Sequence, residues 1–259
     1  MATRHYGRHS VETANEDKVL FPDDGLAKGD LIDHYERVWT RMRAHLADRP
    51  LVMERFPDGI ASEGFFQKQV PDHFPAWIDR VRVARRDASP QELVVCGTKG
   101  GLAYLANQAC VTPHLWLCRA SRLDAPDELV FDLDPPDRDF APVRRAALWC
   151  RALLDELGLF AVAKTTGSRG VHVVVPLRAR EGFDGVRDLA HRIANELARR
   201  HPDALTTEQR LAKRGGRLYL DVGRNAHAQT AVAPYAVRAR EGAPVATPVA
   251  WEELARGDV

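Results

Sequence analysis

The segment Leu129-Val130-Phe131-Asp132-Leu133-Asp134-Pro135-Pro136 constrains this chain more than any other. Its branched apolar run predicts a strand over Leu129–Leu133, and strand side chains alternate between faces. Asp132 and Asp134 therefore share one face, while Leu133 points into a core. Two carboxylates side by side repel unless cations neutralise them. The prolines end the strand and leave both acids at its mouth. Hard divalent cations are the natural occupants of such a pair. Solvated strand-end acids are the plainer alternative, and the rest of the chain has to decide between the two.

Around this segment the second half alternates strand and helix. Phe140, Val143, Ala147, Cys150, Leu154 and Leu157 recur at helical spacing and predict a helix over 140–157. Val171–Val175 reads as a strand buried on both faces, 186–200 as a helix and Arg217–Val222 as a strand. In the first half, Leu31, Tyr35, Val38, Met42 and Leu46 predict an amphipathic helix over 28–48. Strands are expected at 51–56, 81–84, 93–96 and 114–117, with a helix at about 101–109. Residues 1–27 read as an irregular arm ending in the turn Pro22-Asp23-Asp24-Gly25. The expectation is an α/β or α+β fold with mixed sheets flanked by helices. It is taken as a single catalytic domain over 1–259: the arm, a first lobe at about 28–120, and a lobe at about 121–259 carrying the metal and nucleotide site.

No run approaches the roughly 18 apolar residues a membrane helix needs, and the first residues lack an apolar export core. Cys96, Cys110, Cys118 and Cys150 form no C-x-x-C pair. Together these predict a reduced, cytoplasmic setting and no membrane partner. A formal net charge of +1 hides an asymmetry. Between Thr206 and Arg240 seven basic residues stand against two acidic ones, and such a surface around a lone Asp221 suits a phosphate ligand.

Two further segments speak to the chemistry. Thr165-Thr166-Gly167-Ser168-Arg169-Gly170 is a polar, glycine-bearing loop feeding the strand that opens Val171-His172. Glycine lets backbone N–H groups approach phosphate oxygens closely, and Thr166, Ser168 and Arg169 add donors suited to a triphosphate. His172 interrupts the apolar strand where it can reach the same ligand. In Arg217-Leu218-Tyr219-Leu220-Asp221-Val222, Tyr219 and Asp221 share the polar face, with Arg214 and Arg224 close in sequence. Three carboxylates from two strands plus a phosphate-binding loop are the parts that two-metal phosphoryl transfer requires.

Six blocks in order carry a resemblance: Asp17-Lys18-Val19-Leu20-Phe21-Pro22, Arg55-Phe56-Pro57-Asp58-Gly59, Phe65-Phe66-Gln67-Lys68, Val130–Pro135, Ser168–His172, and Val232-Ala233-Pro234-Tyr235 followed by Val237-Arg238. From about Glu16 to Trp251 the chain resembles the archaeo-eukaryotic primase superfamily, specifically the polymerase module of bacterial DNA ligase D. The resemblance implies a primase-like catalytic core and a nucleotidyltransferase that extends or fills gapped DNA ends in non-homologous end joining, with ribonucleotides preferred. It implies Asp132, Asp134 and Asp221 as ligands of two Mn2+ or Mg2+ ions. His172, Thr166, Ser168, Arg169, Arg238 and His114 would contact the incoming nucleoside triphosphate. Asn15, Lys18 and Lys28 would surround the 5′-phosphate of a gap or break, Phe65 and Phe66 would stack on template bases, and Arg55, Lys68, Arg214 and Arg224 would lie along DNA. A Ku-like end-binding protein and a DNA ligase are the implied partners. Relatives often carry Lys where Arg169 stands, and some carry Lys where Glu54 stands.

Other readings use the same residues. A primase starting chains without a primer would share every catalytic side chain. A DNA-end-binding module without activity would be favoured by loss of an acid, and all three are present. A haloacid-dehalogenase-type phosphatase also ends a strand in D-x-D, but near the N-terminus and followed by a Gly-Thr-like turn rather than Pro-Pro. Cys110-x3-His114-x3-Cys118 invites a zinc reading, yet no fourth ligand is evident nearby, so the cysteines are expected to be buried and free.

Overall fold

The computed structural model describes residues 1–85 and 88–257. The backbone clusters into two compact units: residues 1–121 with 230–246, and residues 122–229 with 247–259. The chain thus crosses into the second unit, returns to the first for seventeen residues, and ends in the second.

In the first unit an antiparallel sheet runs in the order Thr230–Val232, Cys110–Trp116, Pro50–Arg55, Ala88–Val95, Arg80–Arg85, with Phe65–Gln67 also paired to Pro50–Arg55. Two helices, Lys28–Leu46 and Lys99–Asn107, contribute to its core. The helical spacing seen in the sequence lands on that core: Leu31, Tyr35, Met42 and Leu46 are buried. Tyr35 also does polar work there, donating from its hydroxyl to Val111 O at 2.6 Å and accepting from Val237 N–H at 3.2 Å.

The expected irregular arm is a correction. Ala2–Tyr6 and His9–Thr13 form an antiparallel hairpin, and Val19–Phe21 pairs with Leu26–Ala27. Alternation in these short, polar strands is too brief to read from sequence, and ion pairs anchor the hairpin. Arg4 reaches Glu16 at 2.6 Å, Asp33, and Glu36 at 2.9 Å, while the Tyr6 hydroxyl donates to Glu36 at 2.6 Å. The Arg4 guanidinium, with Thr13 beside it, holds the Glu16 carboxyl down at about 2.

The second unit is built on a six-stranded sheet in the order Leu205–Thr206, Leu218–Asp221, Glu128–Asp134, Val171–Pro176, Val162–Thr165, Pro248–Val249. All its neighbours are antiparallel except the first pair, which is parallel, so the fold is mixed α+β. Phe140–Glu156 and Phe183–Arg200 cover one face. Val143, Ala147, Cys150 and Leu154 from one helix, and Val186, Ala190, Ile193 and Leu197 from the other, share a core with Leu129, Phe131, Leu133, Val171, Val173, Leu218 and Leu220. Strand alternation then consigns Asp132, Asp134, His172, Tyr219 and Asp221 to the opposite face. The four cysteines are buried and free, and burial pushes the Cys96 and Cys150 thiols up to about 12. No helix among the described residues is long and apolar enough to cross a membrane.

The Arg4 network predicts an acid-labile hairpin. Glu16 is more acidic folded than unfolded, so its contribution is complete above about pH 4.5 and is lost as pH falls toward 2. Arg4→Met should lower the melting temperature at pH 7, and the difference from the parent should shrink steadily as pH falls toward 2. Thermal melts across that range measure it, and a pH-independent difference would contradict the assignment.

Candidate active site

Asp132, on the central strand of the second sheet, stands directly opposite Asp221 on one neighbouring strand and His172 on the other. Directly opposed residues of antiparallel strands project to the same face with Cβ atoms about 5 Å apart. The three therefore form one row, with Asp134 in the next row on that face, opposite Tyr219.

Backbone and loop geometry fix this row. Beyond Asp221 the partner strand turns into the short helix Gly223–Asn225, leaving the central strand without a ladder partner on that side at Val130. The Asn225 side chain takes the ladder's place. Fully buried, its Oδ1 accepts from Val130 N–H at 2.8 Å, and its Nδ2 donates to Val130 O at 2.7 Å and Val222 O at 2.9 Å. Gly223 N–H donates to Asp221 Oδ1 at 2.7 Å, where a Cβ on Gly223 would stand only 3.0 Å from that oxygen.

The polar loop joins two adjacent strands as a hairpin, with Thr165 paired to Val171. The Thr166 hydroxyl closes it, donating to Gly170 O at 3.1 Å and accepting from Ser168 and Gly170 N–H groups at 3.3 Å. Gly170 is there for closeness, since a Cβ would fall 2.4 Å from Leu133 O. The loop therefore lies against the end of the acid-bearing strand. Ser168 and Arg169 are exposed at its tip, whereas Thr166 is buried and builds the loop.

Cations already face the carboxylates. Arg224 Nε lies 3.4 Å from Asp132 Oδ2, and Arg214 Nη1 lies 3.4 Å from Asp134 Oδ2. Arg214 is further fixed by Glu208 O at 3.2 Å, Gln209 O at 3.0 Å and the Tyr219 ring 4.0 Å below its guanidinium. The two arginines that the sequence reading set along DNA are thus engaged with the aspartates. Burial alone would raise the Asp132 carboxyl, but His172 and Arg224 outweigh it and hold it at about 2. Burial, reinforced by the Lys164 charge, pushes His172 down, so its imidazole is neutral near pH 7 and Arg224 is the full charge on Asp132. His172 Nε2 lies 3.5 Å from Asp132 Oδ1, and its Nδ1 is buried with no hydrogen-bond partner.

Do these residues suit divalent cations? Among the described residues no three His, Cys, Asp or Glu side chains converge closely enough to hold an ion outright. The donor set nonetheless suits one: Asp132, Asp134 and Asp221 are hard oxygen donors on one face, with arginines already facing Asp132 and Asp134.

The remaining expected residues fall in the first unit. His114 Nε2 lies 2.9 Å from Glu54 Oε2, and its ring meets Phe66 edge-on at 5.3 Å. Burial alone would raise the Glu54 carboxyl, but His114, with Arg238 and Thr112 near it, holds it low. Glu54 is thus the partner of His114. Phe65 and Phe66 are exposed, Arg55 lies over the Phe65 ring at 5.6 Å and donates to Gln108 O at 2.7 Å, and Lys68 is exposed. Asn15, Lys18 and Lys28 come together: Asn15 O accepts from Lys18 N–H at 3.1 Å, and Lys18 O accepts from Lys28 N–H at 2.9 Å. Burial, then the neighbouring Lys18 charge, pushes the Lys28 ammonium down. Lys18 Nζ meets Asp58 at 2.8 Å, joining the first two sequence blocks.

Comparison with known proteins agrees with the sequence blocks. The LigD primase-polymerase domain family matches residues 27–259. This chain belongs to that family. It is 34% identical to the multifunctional non-homologous end joining protein LigD of Mycolicibacterium smegmatis, covering 95% of this chain and 32% of that protein. It is 32% identical to the bifunctional LigD of Bacillus subtilis, covering 92% of this chain and 38% of the relative. The chain therefore spans about a third of the length of the curated relatives it matches. Among solved structures, the polymerase domain of Mycobacterium tuberculosis ligase D in complex with DNA superposes with a TM-score of 0.91 at 32% identity, covering 96% of this chain and 90% of that one.

Sequence reasoning placed Asn225 only as a neighbour of Asp221 and did not single out Lys164. The asparagine follows an Asp-Val-Gly-Arg turn with nothing to signal that its amide completes a sheet, and the lysine looked like one more basic residue. Asn225→Ala should strip both Val130 groups of partners inside the unit, costing on the order of 3 kcal/mol of stability. Urea unfolding of the parent and variant measures this, and a loss under about 0.5 kcal/mol would mean that solvent replaces the amide.

Proposed function

We propose that this chain is a DNA-end-extending nucleotidyltransferase of the end-joining type, acting by two-metal phosphoryl transfer with Mn2+ or Mg2+ and favouring ribonucleotides. The observation that carries the reading is the row Asp221–Asp132–His172, in which two carboxylates lie beside a buried imidazole with a partnerless nitrogen. A partnerless buried ring nitrogen is costly, and a ligand that hydrogen-bonds it removes that cost.

Asp132, Asp134 and Asp221 would hold the divalent ions. Bound there, the ions supply neutralisation of the triphosphate and a lowered pKa for an attacking hydroxyl. The protein does the rest by positioning. The hairpin loop presents Ser168 and Arg169, exposed at its tip, to an anionic ligand on the carboxylate face. His172 orients that ligand through Nδ1, and Arg214 and Arg224 offer their charge to phosphates when ions take over the carboxylates. His114 and Arg238 are proposed as further nucleotide contacts, and exposed Phe65 and Phe66 as stacking surfaces for template bases. The relatives' names mention end joining, and one solved relative carries DNA. These support the assignment of gapped or broken DNA as substrate, with a Ku-like protein and a ligase as partners.

Primer extension on a gapped duplex is the test, with both nucleotide types and both metals. Asp132→Ala and Asp221→Ala should each fall below roughly a tenth of the parent rate while DNA affinity changes little. Extension near the parent rate in either variant would refute the metal assignment.

Asn15, Lys18 and Lys28 are proposed to surround a terminal 5′-phosphate, since two lysines drawn together favour an anion between them. Gapped DNA with a downstream 5′-phosphate should bind several-fold more tightly than its 5′-hydroxyl counterpart, and the margin should shrink as salt rises. Lys18→Ala and Lys28→Ala should erase the margin. Equal affinity of the parent for both ends would remove this pocket and favour a primase role.

A further inference from the structure

The row of Asp221, Asp132 and His172 does not stop at the histidine. Lys164 stands directly opposite His172 in the pairing of Val162–Thr165 with Val171–Pro176. Its side chain therefore leaves the sheet on the carboxylate face, while its chain neighbour Ala163 lies in the helical core. Lys164 is only 5% exposed. Burying an ammonium forfeits most of its hydration.

Along the row the side chains run from the carboxylates Asp221 and Asp132, through the His172 imidazole, to the Lys164 amine. A metal–nucleoside triphosphate has the complementary polarity: cations where it meets carboxylates, and anionic terminal phosphates extending away from them. Strands lie about 4.8 Å apart, so Lys164 stands two strand spacings from Asp132, on the side away from Asp221. The hairpin loop closes directly above this part of the row, with Lys164 two residues before it and His172 two after. A group so placed lies where a ligand extending along the row would meet it.

We propose that Lys164 is a nucleotide-binding residue that grips the terminal phosphates of the incoming triphosphate. The assignment rests on the polymerase reading above and extends it to a residue outside the six sequence blocks. The ammonium is too far along the row to serve the nucleoside monophosphate portion, so its loss should be felt by the triphosphate alone.

The test is equilibrium binding of a nonhydrolysable ribonucleoside triphosphate with Mn2+, and of the matching monophosphate with Mn2+, to the parent, Lys164→Met and Lys164→Arg. Lys164→Met should weaken triphosphate binding by on the order of tenfold or more and change monophosphate binding by less than about twofold. Lys164→Arg should recover most of the loss. Lys164→Met should keep a cooperative melt, because methionine fills most of the same buried volume. Should it lose that melt, Lys164→Gln is carried through the same titrations with the same selective loss expected. A parent that prefers triphosphate, with a folded variant that prefers it equally, would overturn the Lys164 assignment alone. A parent with no preference for triphosphate would overturn the polymerase reading and the assignment together.

Discussion

The antiparallel register of the Glu128–Asp134 strand between its two neighbours is the constraint on which the rest depends. It sets Asp132 opposite both Asp221 and His172. A slip of one residue would turn these groups into the helical core and bring Leu133, Leu220 and Val171 to the ligand face. The core side of the same strands resists that slip, because Leu129, Phe131 and Leu133 mesh with the apolar faces of two helices. Hydrophobic packing on one face thereby fixes chemistry on the other. Asn225 completes the arrangement by finishing the ladder at Val130 where the neighbouring strand has already turned away.

Electrostatics explain why so many carboxylates are tolerated together. Arg224 and Arg214 sit 3.4 Å from Asp132 and Asp134, each at the long end of hydrogen-bond distance. A carboxylate held at about 2 keeps its charge throughout the physiological range. Asp132 is consequently ionised and faced by Arg224 as it stands.

Periodic apolar patterns were legible in the sequence wherever they were long. The helices of 28–46, 140–156 and 183–200 and the strands carrying Asp132, His172 and Asp221 were all readable, with ends shifted by a few residues. The shared face of Asp132 and Asp134 followed from alternation alone. Shorter elements were not legible: the N-terminal hairpin and the strands at Val162–Thr165 and Pro248–Val249 offer two to five residues each, too few for a period to show. The local sequence around Arg214 and Arg224 showed their charge but not their direction, because a guanidinium's partner is set by tertiary distance. Lys164 escaped for a related reason, since only the pairing of its strand reveals that a lysine in Val-Ala-Lys-Thr shares a row with Asp132.

The central claim, that one sheet face gathers divalent cations and a triphosphate, is tested most directly by counting bound Mn2+. Electron paramagnetic resonance of free Mn2+ during titration, with and without a nonhydrolysable ribonucleoside triphosphate, gives the number and affinity of ions taken up. The account predicts saturable uptake by the parent that tightens when nucleotide is present, and uptake sharply reduced in Asp132→Asn. Uptake that is absent in the parent, or unchanged in Asp132→Asn, would contradict it.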